Sequence, residues 1–205
     1  MPAQACAGRV ACHTRGMKTF LVIAVCGLGF MQTCLAADKI EYRLLATSKT
    51  STMEKELNEA GEAGYSMVSV MGGETAFGGK EVVVVMGRKA SDPVSRRHFK
   101  LLATSKTSTL EKELRAAGAE SFEYRGETVF ESAFGGKEVS VILEQSSGGS
   151  QKKIDYRVLS TSKTSTLQKE LQAAGAEGYE CLGMMVGKTA MGGAETISIL
   201  RKYLD

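Results

Sequence analysis

The chain has 205 residues, 26 of them Lys or Arg, 23 Asp or Glu and none Trp, a length that accommodates one to three domains. The formal excess of +3 comes entirely from Arg9, Arg15 and Lys18, which no acid balances within residues 1–36, so residues 37–205 are neutral. Neutrality argues against an extended nucleic-acid surface, whose affinity comes mainly from neutralising phosphates, and no nucleic-acid partner is expected.

In chain order, residues 1–16 precede a second start at Met17, so that either Met1 or Met17 can begin translation. Residues 17–36 read as a secretory signal. Met17 and Lys18 form a short positive region, Phe20 to Phe30 is an almost unbroken apolar run, and Cys34-Leu35-Ala36 puts small residues where a signal peptidase reads. Cleavage is expected after Ala36 or one residue later, with export to the periplasm or outside the cell. A membrane anchor would need about 20 apolar residues, roughly twice this run, so no membrane span is expected after cleavage. A lipid anchor on Cys34 is disfavoured by the approach Met31-Gln32-Thr33. Cys6, Cys12, Cys26 and Cys34 leave with the presequence, so Cys181 remains without an intramolecular partner. Its neighbours Tyr179 and Leu182 favour a buried small apolar residue over a thiol pairing between chains.

The rest of the chain spells one stretch three times: ATSKTSTMEKEL from Ala46, ATSKTSTLEKEL from Ala103 and STSKTSTLQKEL from Ser160, each 57 residues after the last. A fixed period of this size is an internal repeat. Every copy opens with alternating residues that predict a strand, Tyr42 to Thr47, Phe99 to Thr104 and Tyr156 to Thr161. Ser51, Ser108 and Ser165, each followed three residues later by Glu54, Glu111 or Gln168, predict a capping box and a helix start. Met53, Leu57 and Ala60, with Leu110, Leu114, Ala117 and Leu167, Leu171, Ala174, then give a narrow apolar stripe, with Lys55 and Glu59 opposite. Three turns fit before Gly61, Gly118 and Gly175, which suit a left-handed helix end. So short a helix needs a sheet to lie on.

That sheet is expected from a second strand, Tyr65 to Met71 or Tyr179 to Val186, and a third, Glu81 to Met86. The two are joined by a Gly-Gly hairpin at Gly78-Gly79, repeated as Gly135-Gly136 and Gly192-Gly193. Ser140 aligns with Val83 but Ser198 with Val84, which suggests wet faces that differ between copies. The middle copy departs in having Ser121 for Gly64 and Gly178, and in a polar second strand from Phe122 to Glu127, expected at an edge or facing solvent. Ala90 to Ser95 and Gln145 to Ser150 have linker composition. Units of this size bury little alone, so the copies are expected to pack on one another.

The run Ala174-Gly175-Ala176-Glu177-Gly178-Tyr179-Glu180, after a short amphipathic helix and before an apolar strand with a Gly hairpin, resembles the Gly-Ala-Glu-Gly-Trp-Glu signature of the small bacterial family called domain of unknown function 4177. The resemblance covers each repeat almost whole and is clearest in the third. Tyr65 and Tyr179 stand where that family has Trp, and the middle copy lacks the second Gly. The resemblance implies a βαββ fold and brings no established activity.

Little else carries chemistry. His98 is the one histidine after residue 36 and sits beside Arg96-Arg97 in a stretch read as linker. No Cys/His cluster has metal spacing, no serine has a nucleophile elbow, and Gly78-Gly79-Lys80-Glu81 lacks phosphate-loop spacing, so neither metal nor cofactor is expected. The one candidate ligand site is the repeated loop Ser48-Lys49-Thr50, Ser105-Lys106-Thr107 and Ser162-Lys163-Thr164. Hydroxyls, a lysine and free N–H groups at a helix N-terminus suit an anion. Capping explains the serines without one, though not the lysines.

The sequence thus reads as an exported, non-enzymatic α+β protein: a presequence over 1–36 with its signal at 17–36, then tandem βαββ repeats over 40–89, 97–145 and 154–203, with short helices on antiparallel sheet. It is expected to be a binding or structural module for a protein or envelope partner, with oligomers left open. The alternative is a binder of anionic, sulfated or phosphorylated ligands through its three loops, and an enzyme is the least supported reading for want of an acid, base or nucleophile set.

Overall fold

The computed structural model describes residues 38–75, 79–131, 137–148, 152–188 and 193–204. The expected signal and the turn glycines Gly78, Gly135, Gly136 and Gly192 lie outside the described residues. Within them the chain runs strand, helix, strand, strand three times. The first unit is β1 (Ile40–Thr47), α1 (Thr50–Glu62), β2 (Ser66–Thr75) and β3 (Gly79–Lys89). The second is β4 (Arg97–Thr104), α2 (Thr107–Ala119), β5 (Glu123–Glu131) and β6 (Lys137–Ser146), and the third β7 (Ile154–Thr161), α3 (Thr164–Ala176), β8 (Glu180–Lys188) and β9 (Ala194–Tyr203). This is the α+β architecture of three βαββ repeats that the period predicts.

Each unit makes its own antiparallel sheet with its last strand in the centre, in the orders β1-β3-β2, β4-β6-β5 and β7-β9-β8. Register repeats with the sequence, since Leu45 faces Val84, Leu102 faces Val141 and Leu159 faces Ser198. The pairing of β2, β5 and β8 slips between Met67 and Ser69, Tyr124 and Gly126, and Cys181 and Gly183, one bulge per copy. The serines of the central strands do not lie on wet faces, which corrects the reading of them. Ser140 and Ser198 are both buried, and their hydroxyls have no hydrogen-bond partner, so neither marks a wet face.

The helix ends differ from the pattern-based expectation. Thr47, Thr104 and Thr161 each accept the backbone N–H of the lysine two residues on, at 3.1–3.2 Å. This turn leaves Lys49, Lys106 and Lys163 extended as the N-caps, with no side-chain cap. Ser51, Ser108 and Ser165 are already helical there, so the capping boxes do not form. At the other end Gly61, Gly118 and Gly175 are inside the helices, and the left-handed residues are Gly64 (φ 83°), Ser121 (φ 66°) and Gly178 (φ 87°). Tyr65 donates to the Ala60 carbonyl and Gly64 to that of Gly61, the paired bonds of a Schellman motif, which Ser121 and Gly178 repeat.

The three sheets stack, with α1 and α2 each between its own sheet and the next and α3 on its own sheet. One core joins Leu45, Met53, Leu57, Ala60, Val84 and Met86 of the first unit to Phe99 and Ile142 of the second. The other joins Leu110, Leu114, Val141 and Leu143 to Ile154, Tyr156 and Ile199 of the third. Beside the helices, β2 packs on β5 and β5 on β8. The polar middle strand is accordingly a sheet edge that other units nevertheless cover. His98 is also not in a linker, since β4 already contains it and pairs it with Gln145.

Candidate functional site

The three Ser-Lys-Thr loops occupy equivalent turns between first strand and helix. Ser48, Lys49, Ser105, Lys106, Ser162, Lys163 and Thr164 are exposed and Thr50 and Thr107 half-buried. Neither of the two recesses at these loops brings two of them together. A recess of about 330 Å³ beside Thr50 and Ser51 is walled by Glu54 and Glu113, whose charge repels an anion. The recess lined by Ser105, Lys106 and Thr107 holds about 10 Å³, room for one water at most.

Two buried polar groupings went unnoticed in the sequence. Glu144, with 1% exposure, accepts from the Ser66 hydroxyl at 2.9 Å and the Met67 N–H at 3.3 Å, and pairs with Arg97 and, at 3.2 Å, with Arg125. It therefore ties β2 to β4 and β5 across the seam between two units. At the next seam the Tyr124 hydroxyl donates to Glu127 at 2.8 Å. Burial, with the Glu127 charge adding to it, pushes the Tyr124 phenol well above its usual range. Burial likewise raises the Glu127 carboxyl, against hydrogen bonds from Tyr124 and the Met184 backbone. Cys181 is exposed, contrary to the sequence expectation, and shielding of its sulfur raises its thiol, which lowers its nucleophilic fraction. These shifts favour neutral side chains and make no proton-transfer pair. Among the described residues no group of His, Cys, Asp or Glu could hold a metal, and no helix is long and apolar enough to cross a membrane.

The remaining feature is a surface. Residues directly opposite in an antiparallel pair share a face, so Tyr42 joins Gly87 and Ser66, and Leu44 joins Val85 and Ser69, on the outer face of the first sheet. Ile40, Tyr42 and Leu44 are 48%, 64% and 56% exposed, and Val68 and Met71 are exposed with them. Part of this face is a groove of about 580 Å³, with Tyr42, Val68 and Arg88 on its floor and sides and Pro93 and Val94 among its walls. No single residue announces it, because each copy carries an apolar first strand. What could have signalled it is the count: three such strands, and only two preceding helices to cover them.

Comparison with protein-family models, characterised proteins and solved structures finds no match to this chain.

Proposed function

We propose that the chain is an exported, non-enzymatic repeat protein that serves as a binding or structural module in the periplasm or outside the cell, its three units being diverged members of the domain of unknown function 4177 family. The observation that carries this reading is the open outer face of the first sheet. Five large apolar side chains there, Ile40, Tyr42, Leu44, Val68 and Met71, are each about half exposed or more, and a contiguous apolar patch of this kind is the usual mark of an interaction site. The polar groups inside the fold support it, because Glu144, Tyr124 and Glu127 are engaged in joining units. A photo-cross-linking residue at Tyr42, irradiated in intact producing cells, is expected to give an adduct that the same residue at Lys55, exposed on α1, does not. Failure to obtain one from Tyr42, Leu44 or Val68 would contradict the reading.

A further inference from the structure

The partner that fits this face is already present in the chain. Inside the molecule the same docking occurs twice. Gly61 of α1 lies so close to β4 that a methyl group there would strike the Arg97 carbonyl and come within 2.9 Å of the Phe99 ring. Gly118 of α2 meets the Ile154 carbonyl and the Tyr156 ring in the same way. One turn earlier Asn58 clamps the edge of β4, donating to the Phe99 carbonyl at 3.0 Å and accepting its N–H at 2.9 Å, while Arg115 donates to the Tyr156 carbonyl at 3.0 Å. Phe99 and Tyr156 are 3% and 0% exposed as a result.

Both halves of this joint recur unused at the ends of the stack. Tyr42 is the counterpart of Phe99 and Tyr156, on a sheet edge whose outer face has no helix against it among the described residues. On α3, a methyl at Gly175 would meet nothing within 4 Å. Leu171, the counterpart of the fully buried Leu57 and Leu114, is only partly covered. Gln172, at the position of Asn58, is exposed and makes no side-chain hydrogen bond among the described residues. It carries the same amide, with one donor and one acceptor to offer a strand edge. Beside α3, Met184 and Val186 are 60% and 61% exposed, and Cys181 is exposed where Met67 and Tyr124 are covered.

We infer that the α3 face of one chain docks on the β1 face of a second copy, so that the protein assembles head to tail through the joint it already makes between its own units. This rests on reading the first-sheet face as a binding surface and names its occupant. The one departure in the match is compensated. Gly126 and Gly183 receive Met67 with Val70, and Tyr124 with Glu127, from the preceding unit. Their counterpart on the first sheet is Ser69, and the pair due to meet it is Cys181, smaller than Met67 or Tyr124, with the flexible Met184 at the position of Val70 and Glu127. Solenoids that stay monomeric carry polar caps at their ends, whereas among the described residues Tyr42 and Leu44 at one end and Met184 and Val186 at the other are exposed. A contact of this heterologous kind propagates, closing into a ring or running on as a filament.

The test is sedimentation of the protein, as its host processes it, over a wide concentration range, beside the variants Tyr42→Lys and Gly175→Leu. Both sites are open in the single chain, so both variants are expected to show the native circular dichroism and to melt no lower than the native monomer. The native protein is expected to form species of whole-number multiples of the chain mass. Each variant alone should associate at least a hundredfold more weakly, and an equal mixture should form dimers and stop there, since only one intact joint is left. Alkylation of Cys181 should slow as native protein associates. Variants that associate as native does, or a mixture that stays monomeric, would overturn the proposal. A native chain that remains monomeric while Tyr42 still cross-links to another protein would overturn self-assembly and leave the binding face standing.

Discussion

Helices α2 and α3 have nearly one sequence, TSTLEKELRAAGA and TSTLQKELQAAGA, and different surroundings. Leu114 and Gly118 of the first are sealed beneath β7, whereas among the described residues Leu171 and Gly175 of the second have only their own sheet behind them. The difference teaches that in this chain a residue's burial is decided less by its own unit than by whether another unit follows. The seam is part of the repeat, and a stack of three has two seams filled and two half-seams open.

The first seam can be broken most severely at Glu144. Glu144→Ala leaves Arg97 and Arg125 without their shared carboxylate and Ser66 without its acceptor. It is expected to cost about 3 kcal/mol, the low end for breaking a buried pair because both guanidiniums keep some contact with water. Chemical denaturation would measure it, and a loss below about 1 kcal/mol would remove this carboxylate from the account of the seam.

The comparison sharpens at the helical glycines. Gly118→Ala drives a methyl into the Ile154 carbonyl, a collision worth about 1–3 kcal/mol that the gain in helix propensity of about 1 kcal/mol only partly offsets. Gly175→Ala meets nothing and should stabilise the single chain by up to about 1 kcal/mol. Opposite signs are therefore predicted for one substitution in two matching sequences, read as shifts in melting temperature at low protein concentration. Equal shifts would mean that the two helices share one environment.

A smaller effect separates the helix ends. Ser121 holds the left-handed conformation that Gly64 and Gly178 hold without a side chain, at a cost of about 1–2 kcal/mol for an L residue. Ser121→Gly should recover roughly 1 kcal/mol, whereas Gly64→Ser should lose a similar amount.

At the second seam, burial raises the folded-state pKa of Glu127 above its unfolded value, so the folded protein holds its proton more tightly. The contribution of Glu127 is therefore unfavourable at neutral pH, and the penalty fades as pH falls through the carboxylate range. Glu127→Gln should be somewhat more stable than native at pH 7, with the advantage vanishing below about pH 4. An advantage independent of pH would assign it to packing.

Much of this fold was legible because the chain states it three times. The 57-residue period, the apolar stripe of Met53, Leu57 and Ala60, and the alternation from Tyr42 to Thr47 each followed from spacing. Helix ends were misplaced because Thr47 and Gly64, one polar turn away on either side, compete for the same roles as Ser51 and Gly61, and only backbone geometry decides between them. Cys181 was expected to be buried, as its counterparts Met67 and Tyr124 are covered. That expectation fails because no further sheet among the described residues packs on α3 as β4 packs on α1 and β7 on α2. The open face has the same origin, since Tyr42, Phe99 and Tyr156 read alike and differ only in what precedes them. Glu144 had no signal at all, its counterparts being Gly87 and Arg201. The expected signal is checked separately by N-terminal sequencing, which should find Ala37 or Asp38 and would contradict it by finding Met1 or Met17.

Hydrogen exchange followed by mass spectrometry at low and high protein concentration tests the unfilled half-seams most directly. At low concentration the amides of α3 should exchange faster than those of α1 and α2. At high concentration β1 and α3 should gain protection together, with the two internal seams unchanged. Protection of α3 equal to that of α2 in the dilute protein, or a concentration effect confined to one of the two ends, would contradict it.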